Sequence, residues 1–343
     1  MRDIKDLTLE ELRQVLQGWK QAGFHARQIF SWIYKKGIQD FSQMSDLPAD
    51  LRRRLQENFF ILDFRLARVF QSGDGTEKSL FALKDKSFIE AVIIPAEKRL
   101  TGCVSTQVGC RFNCRFCASG LGGFKRNLTT GEILGEVLYL KNNLGHKRLS
   151  HIVFMGVGEP LDNYNNLLKA IRIINSGYSF NIAARRITIS TCGIIPGIKR
   201  LADEGLQIEL SVSLHASDDK TRSALMLVNR KYPLKDLIAA CSEYIKKTNR
   251  QITFEYVLIK NANSDLQSAR NLSTILKDLN LSKVNLIPCN TVRELKVGPP
   301  DKPQVLLFRD YLLKSGVKVT LRKPRGQDIE AACGQLRLRY EKK

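Results

Sequence analysis

The sequence predicts an α/β protein: a partial, open βα barrel of six units preceded by a helical accessory domain. Two patterns carry this expectation. Apolar residues recur at helical spacing through residues 1–60, while from about residue 100 onward short strand-like runs alternate with helical stretches, the pattern of a parallel sheet. A third observation joins fold to function. Polar motifs follow the strand-like runs one after another, at the C-terminal ends where α/β barrels collect their chemistry.

Thr8-Leu9-Glu10-Glu11 reads as a capping box opening the first helix, with Leu12, Val15 and Leu16 on one face. A second helix runs through Ala26, Ile29, Phe30, Ile33 and Tyr34 to Gly37, and a third starts with Pro48 at its first position. Residues 1–60 are therefore expected to form a helical, RNA-binding accessory domain. Residues 61–99 read as a small β-rich linker region, with strands at 65–70, 79–83 and 88–95 and a turn at Gly73-Asp74-Gly75. The barrel is expected over 100–322. Its strands fall at 100–106, 151–155, 186–190, 208–214, 252–259, 283–288 and 317–322, about six of them taking part. Helices between them reach Leu144, Asn175, Glu204, Lys247, Leu279 and Ser315. Residues 323–343 form a tail in which Cys333 stands between small residues.

The chain carries 55 Lys+Arg against 34 Asp+Glu, a formal net charge of +21 over 343 residues. A surplus of that size attracts polyanions by releasing counterions, so RNA or DNA is the expected partner. No apolar run approaches a membrane span, and the charged start Met1-Arg2-Asp3-Ile4-Lys5-Asp6 lacks a signal-peptide core. A cytoplasmic protein without membrane contact is expected. The 8 cysteines then point to metal or catalysis rather than a disulfide scaffold, and 4 histidines make a histidine-based metal centre a poor fit.

Cys110, Cys114 and Cys117 stand at C-x3-C-x2-C spacing, with Phe112 and Phe116 between them. Closely spaced thiolates hold iron–sulfur clusters. Three thiolates on a [4Fe–4S] cubane leave one iron without a protein ligand, open to a substrate or cofactor. A structural zinc site remains the alternative, although it usually takes four ligands. Cys333 reads either as a reactive thiol on a loop or as an inert buried one.

These motifs resemble the radical S-adenosylmethionine (SAM) adenine-C2 methyltransferases of RNA, the RlmN type, over nearly the whole chain. The resemblance rests on Gly102–Cys110, Gly123–Thr129, Met155-Gly156-Val157-Gly158-Glu159-Pro160-Leu161, Ser213-Leu214-His215-Ala216 and Ala332-Cys333-Gly334-Gln335-Leu336. It implies a [4Fe–4S] cluster on Cys110, Cys114 and Cys117, and SAM contacts at Gly158, Glu159, Ser190, Ser213, Leu214, His215 and Asn290. It also implies a methyl-carrying Cys333, a resolving Cys103 and Glu90 as general base. The implied substrates are an adenosine of 23S rRNA in the peptidyl-transferase centre and the tRNA adenosine 3′ of the anticodon. A flavodoxin-like electron donor and a thiol reductant are the implied protein partners, and a monomer is expected. The sequence departs from the family at Cys192, Cys289 and Thr291; with Cys241, the two cysteines read as packing residues.

The chemistry implied is a ping-pong use of two SAM molecules. C2 of adenine is electron-poor and does not attack SAM directly, so a radical route is needed. Cys333 takes a methyl group from one SAM, and a second SAM supplies a radical that abstracts hydrogen from the S-methyl group. The resulting methylene radical adds to C2, the adduct loses an electron and yields its C2 proton to Glu90, and Cys103 attacks Cys333, leaving a disulfide for a thiol to reset. Two other readings are the Cfr type, which methylates C8 of the same adenosine, and a non-catalytic zinc-containing RNA-binding module.

Overall fold

A computed structural model describes every residue except Asp63, Lys98, His146, Arg293 and 337–343, so the end of the tail lies outside the described residues. The chain begins with a two-residue strand, β1 (Arg2–Asp3), followed by α1 (Leu9–Gly18), α2 (His25–Phe30) and α3 (Ala49–Asn58). The Thr8 capping box is formed in both directions, Glu11 N–H to Thr8 Oγ1 at 3.1 Å and Thr8 N–H to Glu11 Oε2 at 2.8 Å. Pro48 is the residue before α3 rather than its first, with an extended ψ of 144°. β2 (Phe59–Phe60) pairs parallel with β1 and closes the unit.

Buried Leu12, Leu16, Ile29, Phe30, Leu51 and Leu55 turn their helices onto one core that runs without a break into the barrel. Polar ties cross the same seam. Gly131 N–H donates to Asp6 Oδ1 at 2.7 Å, Lys169 pairs with Glu11, and buried Lys5 donates to the Leu62 carbonyl.

The chain then lays down β3 (Arg65–Gln71), β4 (Glu77–Ala82), β5 (Phe88–Ala96) and β6 (Arg99–Cys103) as an antiparallel meander. β7 (Gln107–Gly109) and β8 (Phe124–Asn127) form a separate ribbon that brackets the cysteine loop. The run 100–106, expected as one strand, ends as a strand at Cys103, and β7 begins only after it. At Ser105 the chain leaves the sheet, where the Ser105 hydroxyl donates to the Glu90 carbonyl and accepts from Val157 N–H.

Alternation follows: α4 (Thr130–Asn142), β9 (His151–Phe154), α5 (Tyr164–Asn175), β10 (Ile187–Thr191), α6 (Ile195–Ala202) and β11 (Glu209–Ser213). Then come α7 (Asp219–Leu225), α8 (Leu234–Thr248), β12 (Ile252–Leu258), α9 (Leu266–Leu276), β13 (Ser282–Pro288), α10 (Lys302–Lys314) and β14 (Val319–Leu321). α7 was not legible in the sequence, because it is short and carries no apolar periodicity; Asp218 caps it through Thr221 N–H at 2.7 Å.

From β3 onward all the strands but β7 and β8 form one sheet, ordered β14-β13-β12-β11-β10-β9-β6-β5-β4-β3. β6 and β9 to β14 run parallel, joined by helical crossovers, and β3 and β14 do not pair, so the barrel stays open. The strands of residues 65–96 extend this sheet at its β6 edge. Outward residues such as Ile187, Ile189, Leu210 and Val212 are buried under the helices. The inward face is polar, with Thr188, Ser190, Ser211, Ser213, Glu255 and Asn285 lining the hollow.

Candidate active site

The cysteine loop is clamped at its base. Gly109 sits at φ +76°, and a Cβ there would lie 1.8 Å from the Gly123 carbonyl oxygen, which accepts the Cys110 N–H at 3.1 Å. Within the loop Cys117 N–H donates to the Cys114 carbonyl at 3.0 Å, and Arg115 N–H to the Leu225 carbonyl at 3.0 Å. Cys110, Cys114 and Cys117 line one cavity of about 970 Å³, open to solvent and within the size range of cofactor sites. Phe112 and Phe116 line it beside them, the Phe116 ring standing edge-on to His215 at 4.7 Å.

The strand ends supply the opposite wall. Gly158, Glu159, Ser190, Ser213, His215 and Asn290 all line the same cavity. Gly158 turns at φ +106°, and a Cβ there would fall 2.5 Å from Gln107 Cβ. Glu159 is buried: its carboxylate accepts Cys192 N–H at 2.7 Å and Leu161 N–H at 3.0 Å, while its own N–H donates to Gln107 Oε1 at 2.8 Å. Burial pushes its carboxyl pKa upward against those hydrogen bonds. His215 has φ +56° and accepts Val257 N–H on Nδ1 at 3.0 Å, which leaves Nε2 as the protonated nitrogen of the neutral ring. Burial, with the Arg222 charge second, lowers its pKa to about 3. Leu214 differs from its neighbours. Its side chain is fully buried in the core, away from the cavity lining, and only its backbone faces the site, accepting from Arg222 Nε at 3.1 Å.

The tail also reaches the cavity. Cys333 lines the cavity and also a smaller one of about 510 Å³ that it shares with Cys103. Its carbonyl accepts from Asn290 Nδ2 at 3.0 Å, and the Gly334 carbonyl accepts Ala118 N–H at 2.7 Å, next to the third loop cysteine. Gln335 Nε2 reaches the Thr291 carbonyl at 3.0 Å and Ser119 Oγ the Leu336 carbonyl at 3.0 Å. Cys103 is buried among Val92, Val157, Ala331 and Leu336. Burial first, and the charge of a Cys333 thiolate second, push its thiol up to about 12, with Arg322 acting in the other direction.

Glu90 is not brought to either cavity. It lies on β5 in a buried ion pair with Lys78, Nζ to Oε1 at 3.1 Å, and Lys78 also donates to the Glu330 carbonyl of the tail. The disulfide expected between Cys103 and Cys333 at the end of the cycle is not formed in this structure: all 8 cysteines are free. A sulfur that must accept a methyl group has to be a thiol when the cycle begins, so a bridge is compatible only with a later step.

The three loop thiols fit an iron–sulfur cluster by the chemistry of the donor set. Burial raises the pKa of each, for Cys110 to about 12, and for Cys110 and Cys114 the charges of neighbouring thiolates add to the effect. Deprotonation in such a site calls for a cationic centre to offset the charge. Among the described residues no three Cys, His, Asp or Glu side chains converge on one point as a single ion would need. All three loop cysteines do line the one cavity.

Two arginines escaped the sequence reading. Arg222 is fully buried, and its guanidinium donates to the carbonyls of Cys192 (2.8 Å), Ser213 (3.1 Å) and Leu214 and to Asn229 Oδ1 (2.8 Å). It therefore ties together the loops after β10 and β11. Arg322 lines both cavities, and a Cys333 thiolate is the first cause of its raised pKa. Nothing in local spacing marks either residue, since each is defined by partners distant in sequence.

Comparison with known proteins gives consistent results. A model of the radical SAM superfamily matches residues 104–271, and one of the ribosomal RNA large subunit methyltransferase N-terminal domain matches 2–61. A probable dual-specificity RNA methyltransferase RlmN of Clostridium botulinum is 45% identical over 343 residues, covering 100% of this chain and 98% of that one. Its counterpart in Caldanaerobacter subterraneus is 44% identical over 344 residues, covering 100% and 99%. The crystal structure of a radical SAM methyltransferase from Sphaerobacter thermophilus superposes with a TM-score of 0.93 at 41% identity, covering 98% of this chain and 99% of that one.

Proposed function

Since the chain belongs to the RlmN family of radical SAM RNA methyltransferases, we propose that it methylates C2 of an adenosine in 23S rRNA and of the tRNA adenosine 3′ of the anticodon. One observation carries the reading: Cys333 shares a cavity with the three loop cysteines and a second cavity with Cys103. A thiol placed between a cofactor site and another thiol suits a methyl carrier that is afterwards resolved.

Cys110, Cys114 and Cys117 would hold a [4Fe–4S] cluster. With SAM bound, that centre supplies both the methyl group and a hydrogen-abstracting radical. The protein's residues do the rest. Asn290 holds the Cys333 segment by its carbonyl, and Arg322 lines both cavities that Cys333 lines. Glu159 and Arg222 grip the N–H and the carbonyl of Cys192, fixing the turn that faces SAM. Cys333 carries the methyl carbon to C2, the adduct loses an electron and its C2 proton, and Cys103 attacks the Cys333 sulfur and releases the RNA; Glu90, the expected acceptor of that proton, lines neither cavity and would have to leave its Lys78 ion pair to take it. Lys78, which bridges Glu90 and the tail, couples the proposed base to the position of Cys333. An external thiol reductant then restores both thiols by exchange.

The target base is taken out of its stack or from a loop to enter the cavity. Exposed Arg99, Lys323 and Arg325, on the rim of the open barrel, are suited to the RNA backbone, with residues 1–60 as a second support. The test is mass spectrometry of nucleosides from 23S rRNA and tRNA with and without this gene. The expected product is 2-methyladenosine in both RNAs. Appearance of 8-methyladenosine instead would replace this reading with the Cfr type.

A further inference from the structure

Beside the cysteine loop, sharing no lining residue with the cavities of Cys333, lies an open groove of about 860 Å³. Its floor includes Leu225, Ile259 and Val297, and Arg115, Lys260 and Lys296 are exposed around it. No carboxylate lines it, and among the described residues none of the three cations is in an ion pair. The floor is not independent of the active site. Leu225, Ile259 and Val297 belong to one apolar cluster with Phe112, Cys114 and Phe116 of the loop. That cluster also walls the cavity, so a single layer of side chains separates the groove from the thiols of the cofactor site.

We propose that this groove docks an acidic one-electron carrier protein that reduces the site through the shared apolar wall. The inference rests on the radical SAM reading, which requires one electron per radical generated. An apolar centre within a cationic rim is the composition of a transient protein–protein contact, whose charges steer the encounter. Nucleic-acid surfaces are more polar, because they bind phosphate and sugar. The location agrees with this division. Electron transfer through protein falls steeply with distance, the groove floor packs against the cysteine loop, and the groove shares no lining residue with the two cavities that Cys333 lines, so a carrier seated here leaves those cavities open to RNA. In the step proposed, the reduced carrier loses one electron and the cluster gains one; no bond or proton moves.

The test uses full-length, cluster-loaded protein and a reduced flavodoxin as probe. Lys260→Glu with Lys296→Glu is expected to weaken flavodoxin binding in calorimetry at low salt at least tenfold. Anaerobic stopped-flow reduction of the cluster by flavodoxin should slow by a similar factor. Reduction by dithionite, which needs no docking, should be unchanged, as should RNA affinity. Lys260→Gln with Lys296→Gln should give a smaller loss in the same direction. Unchanged flavodoxin affinity and rate would overturn the proposal, and so would loss of RNA affinity with carrier binding intact, which would make the groove a phosphate-binding surface. If the unmodified protein, reduced by dithionite, fails to cleave SAM, the radical SAM reading falls instead, and the binding measurement still decides the groove.

Discussion

Gly109 and Gly122 occupy the same loop and answer differently to a methyl group. A Cβ on Gly109 meets the Gly123 carbonyl oxygen at 1.8 Å in a left-handed backbone, while one on Gly122 meets nothing within 4 Å. Left-handed strain alone is about 1–2 kcal/mol, and relieving the clash displaces the partner of Cys110 N–H. Gly109→Ala is expected to lose most of its iron on anaerobic reconstitution, whereas Gly122→Ala keeps a full complement; equal iron contents would refute this account of the loop.

His215 offers a residue-scale test in pH. Its folded pKa of about 3 lies below the ordinary 6.5, so below pH 6.5 the unfolded chain binds a proton that the fold refuses. Stability should therefore fall on acidification through that window, approaching about 1.4 kcal/mol per pH unit from this group. Asparagine tolerates the left-handed backbone, so His215→Asn should keep the fold and flatten the acid limb. Urea unfolding of both proteins between pH 6 and pH 4 checks it; parallel curves would mean that His215 is already charged in the fold.

At the scale of elements, the tail is held to the hairpin of β3 and β4 by carboxylates. Asp328 accepts Ser72 Oγ at 2.6 Å, and Asp74 accepts Gly326 N–H at 3.0 Å; against burial, which raises it, hydrogen bonds from Thr76, Gly326 and Ser72 hold the Asp74 carboxyl down at about 2. Asp74→Ala with Asp328→Ala should free the segment that carries Cys333. Methyl transfer should fall at least tenfold and cleavage by trypsin after Lys323 or Arg325 should quicken, with iron content unchanged. Full transfer with a protease-sensitive tail would show that docking is dispensable.

The two thiols beside the tail should fail in different ways. Cys333→Ala has no sulfur to methylate, so no RNA adduct forms. Cys103→Ala can reach the bridge to C2 but cannot cleave it, and should accumulate a nuclease-sensitive adduct on denaturing gels. An adduct in Cys333→Ala, or none in Cys103→Ala with its cluster intact, would overturn the assignment.

For the whole molecule, charge decides how RNA is approached. Residues 1–60 hold ten basic against eight acidic side chains, so nearly all of the +21 lies in residues 61–343. The N-terminal helices therefore supply little of the charge that draws RNA to the chain. Deleting them would not test it cleanly, since their core is continuous with that of the barrel. Substitution is the better probe. RNA affinity should fall steeply with salt, and Arg99→Ala with Lys323→Ala should reduce the slope of log K against log salt by about two. Lys35→Ala with Arg53→Ala should change it little. The reverse ranking would return the phosphate contacts to the accessory unit.

What the sequence determined by itself was whatever is encoded locally. The capping boxes at Thr8 and Thr129 require only neighbouring residues, and both form. The alternation of strands and helices declares a parallel sheet through its period, and the cysteine spacing needs only one loop. Tertiary structure decided what depends on residues far apart in the chain. Arg222 is a clamp because carbonyls of two strand-end loops converge on it, and the groove beside Arg115 exists because the turns at Ile259 and Val297 fold onto the cysteine loop. The placement of Cys333 between two cavities is of the same kind. It depends on Asn290, Ala118 and the hairpin of β3 and β4 meeting the tail from three directions, and no local spacing encodes that meeting.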